Sequence, residues 1–294
     1  MIPSLPPDFA ARALSAKLWV LDLDGVVYRG KELVPGAAEA IELSRAGGSR
    51  VVFLTNNATK TREMYVDLLS GFGIEAVAED VFTSAWITAR WLEEHARSEH
   101  RMPPDVHVFV IGEIGIKTDL ATAGFVIHDD DEYGIDPSLY SRTDHVVVAL
   151  DRDVTYQKLF VGLNCLRQGA TLVATNDDTA IPIEGGFLSP GAGSILAALE
   201  TCAERKPDFG SPFGKPNPIV YELIESATGI EPGDIIAVGD RLETDILSAN
   251  RAGITSVLVL TGVTTENDLP SETAVPDFIL PSIASLIDLF TTTA

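Results

Sequence analysis

Cysteine is nearly absent. The chain has two in 294 residues, Cys165 and Cys202, and neither stands in a CxxC spacing. Two are too few for a disulfide scaffold, and no His and Cys cluster offers a zinc-type ligand set. A reducing cytoplasm is the simplest compartment for such a chain. Long apolar runs are also missing. The apolar stretches are short and broken by Asp or Gly, well below the ~20 residues of a membrane span. The opening segment, Met1 to Lys17, has no basic region followed by an apolar one, so no signal peptide is expected. Basic residues are scarce, 21 against 43 acidic, and the net charge is −22. A nucleic-acid binder sets Lys and Arg against phosphates, so neither nucleic acid nor an anionic membrane surface is an expected partner. The same field repels small anions, so any anion site must bring its own positive charge, from a metal ion or a placed basic side chain. For most of the acidic residues, solubility is the plainer reading.

What is present suits a folded enzyme-sized protein. A length of 294 residues suggests roughly two domains. Apolar residues make up 46% of the chain, enough to bury a sizeable core. Short apolar runs predict strands at Leu18 to Leu23, Val51 to Leu54, Val106 to Ile111, His145 to Leu150, Thr171 to Ala174, Ile235 to Val238, Ser256 to Leu260 and Phe278 to Leu280. Runs apolar on both faces suit buried parallel strands. Helical patterns lie between them at Ala37 to Ala46, Arg62 to Leu69, Ile195 to Cys202, Ile219 to Thr228 and Asp245 to Ala252. Strand and helix in alternation predict an α/β fold with crossover helices. The polar, Pro-bearing segments Glu94 to Asp105 and Glu204 to Asn217 read as loops that bracket a middle block. The economical organisation is a discontinuous main domain, 1–84 and 205–294, with an inserted α/β domain at 85–204.

Ligands of open α/β sheets bind beyond the carboxyl ends of the strands, so the residues after each apolar run matter. The first run ends Leu21-Asp22-Leu23-Asp24-Gly25, the second Leu54-Thr55-Asn56-Asn57, and a later one Gly239-Asp240, with Arg241, Glu243 and Asp245 following. A carboxylate in an apolar run is expensive to bury unless it is paired, protonated or bound to a metal. Residues two apart share a strand face, so Asp22 and Asp24 can look into one cleft; the bland alternative is a turn at Asp24-Gly25 with Asp22 as a cap. Mg²⁺ prefers oxygen ligands, and Asp22, Asp240 and a backbone carbonyl near Asp24 would supply them. Asp245 is either an ordinary acidic residue at a helix start or an orienting group behind the metal. Thr55 and Asn56 are placed to hold phosphoryl oxygens, although Thr-Asn-Asn is also good turn chemistry. Lys215, in Gly214-Lys215-Pro216, is either a placed ammonium or a surface lysine.

Together, DLDGVVYRG, LTNNATK, GKPNP and GDRLETDI, in that order, resemble the haloacid dehalogenase superfamily of phosphatases. The similarity is greatest to its subfamily IIA, which holds p-nitrophenyl phosphatase-like, phosphoglycolate phosphatase-like, nucleotide monophosphatase-like and pyridoxal phosphatase-like enzymes. The resemblance implies a Rossmann-like core with a parallel sheet and an inserted C2-type cap. It implies Asp22 as nucleophile, Asp24 as general acid and base, and Lys215 as phosphate-binding cation. It places Mg²⁺ on Asp22, Asp240 and the carbonyl of Asp24, with Asp245 supporting the metal shell. The expected substrate-binding set is Gly25, Thr55, Asn56, Asn57, Lys215, Asn176 and Asp177. The last two are matched to a recurring Thr-Asn-x-Asp stretch in ATNDDTAIPIEGGFLSPGAGS, with Pro190, Gly191, Gly193 and Ser194 matched to the turn that follows. Pyridoxal phosphatase-like members carry a His near the position of Ile181, which speaks against a vitamin B6 substrate. Trp86 and Trp91 read as packing residues.

The implied activity is Mg-dependent hydrolysis of a small phosphorylated metabolite through an aspartyl phosphate, in a protein that can dimerise through its cap. Two other classes share the features: a phosphomutase, and a non-catalytic phosphoester-binding protein on the same fold. A P-loop is excluded because Gly210 and Gly214 enclose three residues instead of four and Pro216 follows Lys215. A dinucleotide fingerprint at Gly191-Ala192-Gly193 fails because Leu196 replaces the third glycine.

Overall fold

The computed structural model describes residues 7–183, 185, 187–269 and 274–292. Among the described residues there are fourteen strands: β1 Leu18–Leu21, β2 Tyr28–Arg29, β3 Glu32–Leu33, β4 Arg50–Thr55, β5 Val81–Thr83, β6 His107–Ile111, β7 Val126–His128, β8 His145–Val148, β9 Thr171–Ala174, β10 Ala180–Ile183, β11 Phe187–Pro190, β12 Ile235–Gly239, β13 Thr255–Val259 and β14 Phe278–Leu280. Two compact units result. The first comprises Met1–Thr55, Tyr65–Phe82 and Lys215–Ala294, and the second Asn56–Met64 and Thr83–Gly214. Among the described residues, no helix is long and apolar enough to cross a membrane.

The first unit is built on a six-stranded sheet in the order β14-β13-β12-β1-β4-β5. Strand β1 runs parallel to both neighbours, with Trp19 opposite Ile236 and Val51. All four of its residues are buried, which requires cover on both sheet faces and explains its unbroken apolar sequence. One layer of that cover includes Phe9, Ala13, Val34, Ile41, Tyr65 and Leu286. Burying a large apolar side chain such as Phe9, Ile41 or Leu286 stabilises the fold by roughly 1.5–3 kcal/mol.

The second unit carries its own four-stranded parallel sheet, β7-β6-β8-β9. Helices Tyr156–Arg167 and Ala192–Ala203 supply Val161, Cys165, Ile195 and Leu199 to a core shared with Phe109, Val146, Val148 and Leu172. The antiparallel hairpin β10–β11 pairs Ile181 with Ser189. Within the segment matched to the cap turn, Glu184 and Gly186 lie outside the described residues, as do residues 1–6 of the opening segment.

Three readings of the sequence change in detail. The first apolar run stops being a strand at Leu21, although the Asp22 N–H still donates to the Val238 carbonyl at 2.9 Å. The expected loop from Glu94 begins inside a helix, Ser84–Ser98. Its polar end is held by ion pairs one turn apart, Glu93 with Arg90 and Arg97, and His95 with Glu99. Residues 205–214, expected in the main domain, belong to the second unit because they run alongside β9. Asp208 exchanges hydrogen bonds with Leu172, accepting from its N–H at 2.7 Å, and the Phe213 N–H donates to the Ala174 carbonyl at 3.2 Å. Residues 56–64 also lie in the second unit.

Candidate active site

In the first unit, the parallel strands β1 and β12 lead directly into Asp22 and Asp240, and β4 ends at Thr55. Parallel pairing puts all three ends on one rim, the edge where such sheets bind ligands. After β12 the chain enters a π-helical turn, Leu242–Ile246, ahead of helix Leu247–Ala252. This wide turn points Asp245 back at the strand end, where its Oδ2 accepts the Arg241 N–H at 3.1 Å. Lys215 is buried at 4% exposure and spans the group. Its Nζ donates to Asp22 Oδ1 at 2.6 Å, to Asp245 Oδ1 at 2.5 Å and to the Leu54 carbonyl at 3.2 Å.

Asp22, Asp240 and Asp245 each offer an oxygen within 4.8 Å of the others. As carboxylates they carry three negative charges against the single charge of Lys215, in a place where water screens little. Burial pushes the Asp22 carboxyl well up, Asp245 and Asp240 add repulsion, and Lys215 opposes them. Asp240 is pushed up to about 7, by burial first and Asp245 second, against the Val263 N–H that holds its Oδ2. Burial pulls the Lys215 ammonium down, but Asp22 and Asp245 outweigh it and the net shift is upward. The lysine therefore stays charged, and the surplus negative charge asks for a cation. An all-oxygen donor set without nitrogen or sulfur fits Mg²⁺.

Asp24 lies apart from this group and is exposed. The buried Tyr28 hydroxyl donates to its Oδ2 at 3.4 Å. Gly25 explains its own identity: its φ is +85°, and a Cβ there would come within 2.5 Å of Asp240 Oδ2. Thr55 is buried, and the Tyr65 hydroxyl is hydrogen-bonded to its side chain.

Several contributors escaped the sequence reading. The Val263 N–H donates to Asp240 Oδ2 at 2.7 Å, and the Thr264 N–H donates to the Asp240 carbonyl at 3.1 Å. The Thr261 hydroxyl donates to the Gly25 carbonyl at 2.6 Å. Gly262 lies so close to the Asp240 carboxylate that a Cβ would overlap it. Backbone donors leave no side-chain signature, and Gly262 was the one visible signal. Tyr28 and Tyr65 looked like ordinary core aromatics.

The remaining expected residues lie in the second unit. Asn57 Oδ1 accepts from the Thr59 N–H at 3.0 Å and the Thr59 hydroxyl at 2.7 Å, which makes its side chain a turn former. Asn56 and Asn176 converge on Asp178. The Asn176 amide donates to Asp178 Oδ2 at 2.8 Å and the Asn56 amide at 3.4 Å. Asp177, the expected partner, is exposed, and the gathering carboxylate is its neighbour. The stretch Thr175-Asn176-Asp177-Asp178 fits the Thr-Asn-x-Asp pattern with Asp178 as its last member. Gly191 and Gly193 let the helix start approach that turn, with the Gly193 N–H donating to the Asp178 carbonyl at 3.0 Å and the Ser194 hydroxyl to the Gly191 carbonyl at 2.7 Å. Trp91 packs on Phe213 at 4.3 Å, and Trp86 lies under the Arg62 guanidinium.

The model of haloacid dehalogenase-like hydrolases matches residues 19–126, and a second model of the same kind matches residues 212–286. An acid sugar phosphatase of Staphylococcus aureus is 34% identical over 262 residues, 89% of this chain and 93% of its own. The chain belongs to the haloacid dehalogenase-like hydrolases. A solved 4-nitrophenylphosphatase of Thermotoga maritima is 34% identical with a TM-score of 0.82, over 94% of this chain and 98% of its own. A glycerol phosphate phosphatase of Mycobacterium tuberculosis, solved with magnesium, is 32% identical with a TM-score of 0.81, over 93% of this chain and 78% of its own. With these relatives, this hydrolase is a phosphoric monoester hydrolase of subfamily IIA. The two family models fall on the two stretches that carry Asp22 and Thr55, and Lys215, Asp240 and Asp245.

Proposed function

We propose that the chain hydrolyses small phosphate monoesters with Asp22 as the nucleophile. The observation that carries this reading is Lys215, buried and bonded to both Asp22 and Asp245 beside Asp240. Lys215 aims Asp22 Oδ1 and offers its charge to the incoming phosphoryl oxygens. Asp22 forms a bond to phosphorus as the ester P–O bond breaks, leaving an aspartyl phosphate and an alkoxide that takes a proton from Asp24. Water then attacks the phosphorus of the aspartyl phosphate and gives its proton to Asp24, so that inorganic phosphate leaves and the Asp22 carboxylate returns. Thr55, steadied by Tyr65, donates to a phosphoryl oxygen. Asp245 keeps Lys215 and the Arg241 N–H in place. Asp22, Asp240 and the carbonyl of Asp24 would hold Mg²⁺, which when bound would supply Lewis acidity and neutralise charge.

In this reading the first unit is the catalytic core. The second is the inserted cap. The likeness to an acid sugar phosphatase over most of the chain puts sugar phosphates first among the candidates. Glycerol phosphate, phosphoglycolate, nucleoside monophosphates and the chromogenic p-nitrophenyl phosphate complete the panel. A phosphomutase would use the same first step, but the second would deliver the phosphoryl group to an alcohol instead of water.

The test compares wild type and Asp22→Asn on that panel with Mg²⁺. Asn cannot attack phosphorus, so kcat should fall by at least about 1,000-fold while the melting curve stays cooperative. Turnover by Asp22→Asn near the wild-type rate would rule the nucleophile out.

A further inference from the structure

Asn56 is the residue after Thr55, and Gly214 is the residue before Lys215. Both belong to the second unit, and they pack on each other there. A Cβ on Gly214 would come within 2.6 Å of Asn56 Oδ1 and 2.7 Å of the Thr175 carbonyl, which already accepts the Gly214 N–H at 2.7 Å. Asn56 is held from two sides. Its carbonyl accepts from the Ser84 hydroxyl at 2.6 Å, and its side-chain amide donates to Asp178 Oδ2 at 3.4 Å. The same Oδ2 takes the Asn176 amide at 2.8 Å, and Asn176 Oδ1 accepts from the Thr175 hydroxyl at 2.9 Å. Asp178 thus ties the turn after β9 to the segment that continues the Thr55 strand, while the backbone of that turn holds the residue that leads into Lys215.

We propose that Asp178 is a positioning residue for phosphoryl transfer, acting through Asn56. The inference rests on the phosphatase reading above. A carboxylate is suited to the task because one oxygen can accept two amide donors, which orients both amides together. Asn56 and Gly214 are each one peptide bond from a residue assigned to the phosphoryl group, so loosening them would loosen the hold on Thr55 and Lys215. Reaction rates respond steeply to such errors. A leaving-group contact would behave otherwise, because its loss would depend on which alcohol departs.

The experiment measures kcat and KM with Mg²⁺ for p-nitrophenyl phosphate and for the best sugar phosphate, in wild type, Asp178→Ala, Asp178→Asn, Asn56→Ala and the double Ala variant. Asp178→Ala should lower kcat by about 10-fold on both substrates, with KM changing by less than about 3-fold. Asp178→Asn keeps an acceptor oxygen and should recover most of the loss. The double variant should be no slower than Asn56→Ala alone, because the two residues act as one unit. Four results would overturn the proposal: unchanged kcat in Asp178→Ala, a loss confined to one leaving group, additive losses in the double variant, or a loss in Asp178→Ala and Asp178→Asn alike that only tracks a lower folded fraction. A wild type with no activity on any phosphate ester would overturn the phosphatase reading, and this proposal with it. An active wild type with indifferent Asp178 variants would remove this proposal alone.

Discussion

Both units collect polar groups where parallel strands end, yet the collections differ in kind. In the first, Asp22, Asp240 and Asp245 crowd one lysine, and the carboxylates repel each other in a buried place. In the second, a single carboxylate, Asp178, is met by the neutral amides of Asn56 and Asn176. The first arrangement carries a charge surplus that only an added cation or a proton can relieve, which makes it reactive. The second is satisfied by its own donors, which makes it rigid. One architecture therefore yields a chemical centre or a scaffold, depending on whether like charges crowd the strand ends or a lone carboxylate is met by neutral donors.

The sharpest way to break this contrast is to remove the cation. EDTA should abolish hydrolysis, and added Mg²⁺ should restore it. Asp240→Asn should lower kcat/KM by about 100-fold or more at fixed Mg²⁺ and raise the Mg²⁺ needed for half-maximal rate. Activity that survives both treatments would mean that the charge surplus is not functional.

A smaller effect is expected from the frame around Asp240. Gly25→Ala places a Cβ against the Asp240 carboxylate in a backbone region that alanine disfavours. It should destabilise the protein by about 1–3 kcal/mol, measured by chemical denaturation, and weaken Mg²⁺ binding. A variant with wild-type stability and metal affinity would contradict the close approach.

The smallest effect sharpens the comparison from the second unit, where Asp119 is the exception to a satisfied scaffold. Burial pushes its carboxyl up to about 7, with Arg62 opposing and Glu63 reinforcing, and the Thr83 hydroxyl donates to it at 3.4 Å. A folded-state pKa above the unfolded value means that the folded state binds the proton more tightly. The carboxyl therefore disfavours folding increasingly as pH rises from about 4 to about 7. Asp119→Asn should leave Tm nearly unchanged at about pH 4 and raise it by roughly 2–4 °C at about pH 8. Equal shifts at both pH values would disconnect Asp119 from the titration.

The charged centre was legible in the sequence because its parts are side chains at the ends of apolar runs. Asp22, Asp240 and Asp245 stand where strand-end reasoning put them, whereas Lys215 was open between a placed ammonium and a surface lysine until the motifs were taken together, and the structure brings it to Asp22 and Asp245. The scaffold was less legible. Asp177 and Asp178 differ locally only in their place in the Thr-Asn-x-Asp pattern, which ends on Asp178, and the turn after β9 brings that carboxylate to the Asn176 and Asn56 amides. The donors on Asp240 come from the backbone of residues 263 and 264, where any side chain would serve. The helix Ser84–Ser98 was obscured at its end by charged residues whose pairing appears only one turn away. The place of 205–214 beside β9 depends on Asp208 bonding a strand 36 residues earlier, which no local pattern encodes.

Lys215 has a consequence for chemical labelling. Amine-directed reagents attack the neutral amine, and this one is both enclosed and held protonated by two carboxylates. Under native conditions it should be the slowest lysine of the chain to acylate, with a rate set by local opening of the sheet rim instead of by reagent strength. Its modification, followed by mass spectrometry, would therefore time the fluctuations that expose the reaction centre.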